Sequence, residues 1–293
     1  MTGKGGHLTH PGPRIETTKA MHPHLLGSVL AEAAAVHRGF ENWLPLLVAI
    51  ATGRLRGRPA ALVMQVRHGP TLRTPEGDRS WWTAVECFGL VCYPLASAEF
   101  PPAPVVVDVG ANIGCFTLAL LSVRAQAHVA AYDASRSAIA ALTANIAANH
   151  VQSRVTVHHG AVTGHPEPRT VWLNEHLGAL CTSSLLDEND ARGSTDRVEV
   201  PAVTLGAILS AYPGDVDLVK MDVEGGEYAA IEVTPMPLLA KVRRMVIEYH
   251  DVSGRDVGEL AQRLEAAGLV WERQQHGGLP RHGLAWWARP AED

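Results

Sequence analysis

The chain has 293 residues, 46% hydrophobic and 19% charged, an ordinary globular balance long enough for one large α/β domain with an appendage or for two modest domains. A formal net charge of −5 leaves no basic footprint for nucleic acid. The cysteines, Cys87, Cys92, Cys115 and Cys181, form no C-x-x-C pair and no metal-ligand spacing, so they read as reduced thiols of a cytoplasmic protein. Met1 to Arg14 has no apolar core of a signal peptide, and the longest apolar stretch, Trp43 to Thr52, holds Pro45 and is too short to span a bilayer.

In chain order, residues 1–20 read as a loosely packed tail. Leu25 to Ala51 has apolar residues at helical spacing, with Pro45 starting or kinking a second segment over Leu46 to Ile50. Gly53 to Pro59 reads as a basic solvated turn. Strand signals then run from Ala61 to Val66, through a hairpin-like passage, and on over Trp81 to Phe88. Trp81 and Trp82 are either core or the lining of a pocket mouth that holds a small molecule. Residues 21–100 together are expected to form a helical and β-hairpin cap on the acceptor side of a main domain at 101–293.

That main domain is organised around Val105 to Thr117. A β-branched run without polar alternation, Val105 to Val109, ends in Asp-x-Gly-x-x-x-Gly and passes into an apolar helix, the opening of a doubly wound, mostly parallel sheet. Asn112 stands where a dinucleotide fingerprint needs its middle glycine, which argues against an NAD-dependent oxidoreductase. Asp108 at the strand end repels a diphosphate and suits a cationic ligand with an amino group and ribose hydroxyls, which S-adenosylmethionine is. His128 to Asp133 forms the next strand, and Asp133 falls where a ribose-binding acid belongs, a role compatible with capping the helix that follows. Arg154 to His158 makes a third strand, with Gly160 and Ala161 at its end as a surface for an adenine ring.

Val171 to Leu173 and Arg197 to Val203 read as strands flanking a polar loop, and Thr204 caps a short helix. Val216 to Glu227 reads strand, acidic turn, helix, and Arg243 to His250 is a further strand ending in polar groups. Leu269 to Glu272 and Leu284 to Ala288 are expected to close the sheet as an antiparallel pair.

Two stretches, Val107 to Gly114 and Val219 to Glu227 with its Asp-Val-Glu-Gly-Gly-Glu run, resemble the FkbM-type S-adenosylmethionine-dependent methyltransferases. The resemblance covers roughly Ala61 to His250, counting Ser183-Ser184-Leu185 and Ile247-Glu248. It implies a Rossmann-like class I fold in which Asp108, Gly110 and Gly114 shape the cofactor site, Asp133 holds the ribose and Asp222 sits near the reacting methyl. Ala111, Asn112, Ala134, Gly160, Ala161 and Ser184 complete the expected cofactor contacts. The family usually has Glu-Pro where this chain has Asp133-Ala134, so the acid reaches less far. The implied activity is O-methylation of a small natural product of polyketide or sugar type, with no nucleic acid or membrane partner. N-methylation of a small molecule and a non-catalytic nucleotide-binding scaffold are the alternatives.

An alcohol acceptor must lose its proton, and Asp222, Glu224, Glu248 and His250 at converging strand ends are the candidates to take it. Of these, Asp222, Glu248 and His250 are chemically adequate for a divalent ion, although no compact ligand motif joins them. Trp81, Trp82, Glu224 and Tyr249 are the expected acceptor contacts.

Overall fold

The computed structural model describes residues 14–15, 25–96, 98–164, 170–174, 184–186, 197–250, 252, 254–276 and 282–290. Most of the expected N-terminal tail and of the polar loop before Arg197 lies outside these residues. The elements in chain order are β1 (Arg14–Ile15), α1 (Leu25–Gly39), α2 (Trp43–Leu55), β2 (Leu62–Gln65), β3 (Thr71–Thr74) and α3 (Trp81–Ala84), which runs into a π-helical segment at Val85–Leu90. Then come β4 (Val105–Val109), α4 (Cys115–Val123), β5 (His128–Asp133), α5 (Arg136–Ala148), β6 (Val155–His159), β7 (Ala161–Val162), β8 (Thr170–Asn174), β9 (Ser184–Leu186) and β10 (Arg197–Val203). The chain closes with α6 (Leu205–Ser210), β11 (Leu218–Met221), α7 (Glu227–Val233), α8 (Met236–Leu239), β12 (Arg244–Tyr249), α9 (Val257–Ala266), β13 (Val270–His276) and β14 (Gly283–Ala288).

The main sheet runs β1-β13-β14-β12-β11-β4-β5-β6. Strands β6, β5, β4, β11 and β12 are mutually parallel, and β14 lies antiparallel to both β12 and β13. The order reverses between β4 and β11, and a ligand crevice opens outside the carboxyl ends of strands at such a reversal. A smaller sheet, β7-β10-β8-β9, pairs the two expected strands on either side of the polar loop, β8 and β10, as antiparallel neighbours.

The missing polar alternation in β4 has a direct cause. Val106, Leu218 and Val246 join the core on one face of the sheet, whereas Val107, Val109, Val219, Met221, Met245 and Ile247 join the core on the other. Both faces are covered, so alternate side chains are apolar in either direction. Ser135 and Thr204 cap α5 and α6 by accepting from Ala138 N and Ala207 N.

Residues before 100 share the first of these cores: Phe40, Met64, Leu72, Trp81 and Tyr93 pack in one cluster with Ile113, Leu118 and Leu142. An asparagine of α5 and the one that caps its C-terminus dock the β2–β3 hairpin edge-on. Asn145 bonds Arg73 N and O, and Asn149 bonds Thr71 N and O. Two expectations are corrected here. Helix α2 spans Trp43–Leu55 rather than Leu46 to Ile50, because Pro45 lies in the first turn, where its missing N–H costs nothing. Trp81 to Phe88, read among the strand signals, is helical. Gly89 lies so close to α1 that a Cβ there would press on Ala35 O, so tertiary packing overrides the β-branched and aromatic local signal.

The tightest point of the sheet is the turn after β4. Gly110 has φ +74°, and a Cβ there would overlap the Asp222 carbonyl oxygen. Gly110→Ala is therefore expected to cost at least about 2 kcal/mol, through backbone strain and overpacking together. Denaturant titration checks this, and parental stability would contradict so close an approach.

Candidate active site

Four strand ends and one connecting turn build the site. On β4, Asp108 is fully buried, and its Oδ2 accepts from Thr117 Oγ1 at 2.6 Å. Its Oδ1 receives no hydrogen bond from a described residue and lies 3.5 Å from Lys220 Nζ. The Lys220 ammonium, also buried, donates to Gly110 O at 2.6 Å and lies 3.5 Å from Asp222 Oδ2. Burial alone would lower the lysine pKa, but Asp222, Asp108 and Glu248 outweigh it and hold the ammonium above its usual range.

Beside this pair, Gly110 N and Ala111 N both donate to Tyr132 O, and Asn112 takes φ +50°. Asn112 N donates to Asp133 Oδ2 at 2.7 Å, and Ser135 N donates to Asp133 Oδ1 at 2.8 Å. Asp133 thus joins the glycine turn to the start of α5. Burial pushes its carboxyl up to about 6 against these two bonds. Gly114, at φ +92°, packs against Leu142. Ala134 and Ala161 line a small apolar wall with Val200, and Gly160 N bonds Asp133 O. Ser184 pairs with Asn174 in the smaller sheet, and its side chain lies outside the described residues.

On the other side of the reversal, Asp222 follows β11 and Glu224 is held at φ +54°, an uncommon conformation for a residue other than glycine. His250, just past β12, lies against three carboxylates. Its Nδ1 is 2.9 Å from Glu227 Oε1, and its Nε2 is 3.2 Å from Glu224 Oε2 and 4.0 Å from Asp222 Oδ1. Burial alone would lower the imidazole pKa, but the Glu227 hydrogen bond and charge, then Asp222 and Glu224, raise it to about 9. Burial, then the charge of Glu248, holds Asp222 well above the usual carboxylate range. Burial also raises Glu224. Glu248 is lowered instead: burial opposes this, but a hydrogen bond from His282 and the charges of His250 and Lys220 win.

The structure therefore brings together Asp222, Glu224, Glu248 and His250 from the expected set. It does not bring Tyr249 there. Successive side chains of a strand point to opposite faces, so Tyr249 turns into the second core, where its hydroxyl meets Gln274 Nε2 at 2.7 Å. Trp81 is core, with the Arg54 guanidinium 5.6 Å from its ring centroid, while Trp82 stays partly exposed.

Four residues of the site were not singled out from sequence. Lys220 and Glu227 lie inside the acidic-turn motif, buried on either side of its half-buried acids Asp222 and Glu224. His282 immediately precedes β14, its Nε2 3.1 Å from Glu248 Oε1 and its ring centroid 4.9 Å from that of His250. Nothing local marked it. Glu86, in the π-helical segment, is pushed up to about 7 by burial and then by the charge of Glu248.

The ligand atoms of Glu248, His250 and His282 lie within 4.8 Å of one another, as do those of Asp222, Glu224 and His250. The expected trio of Asp222, Glu248 and His250 is thus divided between two groups. Both ring nitrogens of His250, common to the two, face carboxylates, Nδ1 that of Glu227 and Nε2 those of Glu224 and Asp222. The charge of the crevice suits a cationic sulfonium cofactor. The crevice gathers more carboxylates than cations: Asp108, Asp222, Glu224, Glu227 and Glu248 stand about the Lys220 ammonium and the His250 ring.

Strand order, reversal point and acid-rich crevice define a Rossmann-like, class I S-adenosylmethionine-dependent methyltransferase. Residues 108–270, more than half of the chain, match the Methyltransferase FkbM domain, and the chain belongs to that family. It is similar to the 31-O-demethyl-FK506 methyltransferase FkbM of Streptomyces tacrolimicus, at 27% identity over 240 residues that cover 72% of this chain and 90% of the relative. It is also similar to methyltransferase sdnD of Sordaria araneosa, at 27% identity over 58% of this chain and 74% of the relative. Among solved structures, the METTL16 MTase domain aligns with a TM-score of 0.45 and 9% identity, over 71% of this chain and 69% of that chain. Among the described residues, no helix is long and apolar enough to cross a membrane.

Replacing Lys220 by Met leaves two carboxylates without their buried cation and is expected to cost about 3–5 kcal/mol. The sign of its pH dependence follows from proton binding. A buried carboxyl left without a cation keeps its proton in the folded state to higher pH than in the unfolded chain, so the deficit grows as pH rises through the carboxylate range. Denaturant titrations at mildly acidic and mildly alkaline pH measure it, and an equal deficit at both would contradict the pairing.

Proposed function

We propose that this methyltransferase transfers its methyl group to a hydroxyl of a small natural product of polyketide or sugar type. The observation that carries the reading is the His250 imidazole, whose Nε2 is turned toward the crevice beside Asp222 and Glu224. When bound, S-adenosylmethionine supplies an electrophilic methyl on a sulfonium centre. The roles assigned here to the chain's residues follow from their placement. Asp133 holds the ribose hydroxyls, with Asn112, Ala111, Gly114, Ala134, Gly160 and Ala161 around the nucleoside and Asp108 toward the amino end. Asp222 and Glu248 shape the negative field in which acceptor and methyl are aligned. His250 takes the acceptor's proton. The name of the Streptomyces relative, an O-demethyl-FK506 methyltransferase, agrees with an oxygen acceptor.

Residues 21–100 are proposed to close the acceptor side of the 101–293 domain. Two features support this: Ser80 Oγ donates to Asn112 Oδ1 at 3.1 Å, and Glu86 interacts electrostatically with Glu248. The thiols of Cys87, Cys92 and Cys115 are unpaired, in keeping with a proposed cytoplasmic location.

Asp133→Ala is expected to weaken S-adenosylmethionine binding by about 1–3 kcal/mol, the cost of leaving polar partners unpaired. Calorimetric titration checks this, and unchanged affinity would remove Asp133 from the ribose site.

The reaction itself is tested with methyl-labelled S-adenosylmethionine, 31-O-demethyl-FK506 and panels of hydroxylated lactones, sugars and amines. Label on a hydroxyl oxygen is the expected result. Label on nitrogen selects N-methylation, and cofactor binding without any transfer selects the non-catalytic reading. With an accepted alcohol, His250→Ala should lower turnover about 10²–10⁴-fold with cofactor affinity intact. A base must be neutral to accept a proton, so parental turnover should rise with pH along a limb at about 9 or below, since a bound cation opposes the imidazolium. Parental activity that EDTA abolishes and Mg²⁺ restores would place an ion in this cluster and overturn the base assignment.

A further inference from the structure

Glu227 is among the most confined charged groups of the molecule. It is fully buried at the start of α7, yet its partners come from outside that helix. Its Oε1 accepts from Val223 N at 3.1 Å and Gly225 N at 3.2 Å, and its Oε2 accepts from Gly225 N at 3.1 Å. These bonds fix the carboxylate in place, and they close the turn that keeps Glu224 at φ +54° and Gly225 at φ +107°. The remaining partner is His250 Nδ1, 2.9 Å away. From the other side, Tyr228 Oη donates to His250 O at 3.4 Å, so the backbone that carries the ring is tied to the same helix.

A carboxylate fixed by backbone N–H donors can only accept, so the Nδ1 that faces Glu227 carries a proton, whereas Glu224, whose carboxyl is raised by burial, can hold a proton of its own and leave Nε2 bare. We infer that Glu227 is the positioning residue of His250, receiving its Nδ1–H and so fixing the neutral ring as the tautomer whose bare Nε2 faces the crevice. This rests on the reading of His250 as the base. The consequence is a defined path for one proton. The acceptor's O–H bond breaks, the proton forms a bond to Nε2, and the electron pair stays on the acceptor oxygen. The imidazolium so formed lies between Glu227 on one side and Glu224 and Asp222 on the other. Around it stand Glu248 on β12 and His282 just before β14, with Glu86 of the π-helical segment acting on that pair. Glu227 is the partner that faces Nδ1, which is why it, rather than the other acids, sets the tautomer.

The test uses the full chain labelled with ¹⁵N-histidine and saturated with S-adenosylhomocysteine, so it needs no acceptor. Nitrogen shifts of His250, assigned by its loss in His250→Asn, should show the proton of the neutral ring on Nδ1. In Glu227→Gln, which keeps the shape and removes the charge, the His250 titration midpoint should fall by about one pH unit or more. A parental neutral ring with its proton on Nε2 would overturn the inference, and so would an unchanged midpoint in Glu227→Gln. If that variant does not fold, Glu227→Asp carries the same measurement with the charge withdrawn, and the parental tautomer still decides. Full turnover in His250→Ala, by contrast, would remove the base assignment while leaving the measured tautomer and midpoint as they are.

Discussion

The structure depends on one buried ammonium. Lys220 lies beneath the turn that follows β4, bonded to the carbonyl of Gly110 and placed at equal distance, 3.5 Å, from the carboxylates of Asp108 and Asp222. Two acids on adjacent parallel strands would repel each other in a medium of low polarity, and a single cation between them removes that repulsion. The same contact brings Gly110 against the Asp222 backbone, where no side chain fits. The two halves of the crevice, glycine turn and acidic turn, are thereby held at one separation.

From that constraint the charge distribution of the site follows. On the β4–β5 side the acids are tied into the fold: Asp133 accepts from the backbone N–H groups of Asn112 and Ser135, and Asp108 from the Thr117 hydroxyl. On the β11–β12 side they surround an imidazole and stay near the crevice. The first arrangement gives a rigid cradle with negative charge behind it, suited to a cofactor that is itself a cation. The second gathers titratable groups around one imidazole. Acids tied into the fold and clustered titratable groups thus stand on opposite sides of the strand reversal.

How much of this was legible in the sequence depended on whether the signal was local. Val105 to Val109 announced a strand covered on both faces, and it is one, because its side chains feed two separate cores. Asp133 and the Val219 to Glu227 run were legible for the same reason, since a strand end and the turn after it are contiguous in the chain. Tyr249 was misplaced because the strand period, which decides its face, was not applied to the neighbours Glu248 and His250. Trp81 to Phe88 is helical where strand was expected, because that form depends on Gly39 and Gly89 crossing at backbone contact, which is a tertiary fact. His282 immediately precedes a strand that reaches the site only by running antiparallel to β12, and no spacing predicts that pairing.

The N-terminal segment has a consequence for chemistry beyond packing. Its π-helical segment places Glu86, half-buried, where the charge of Glu248 acts on it, and burial together with that charge raises its carboxyl to about 7. A π-helical segment is a costly local conformation and usually persists where it re-aims a side chain. Here it follows the helix that carries Trp82, whose side chain hydrogen-bonds the Glu86 carboxyl, and it ends at Val91 with φ +53°. The segment therefore does two things at once: it buries Trp81 and Tyr93 against the sheet domain, and it brings a weakly acidic carboxyl to the side where Glu248 and His282 meet. A detached lid would open without cost to the core. This segment shares its core with α4 and α5, so it is built together with the sheet rather than added to it.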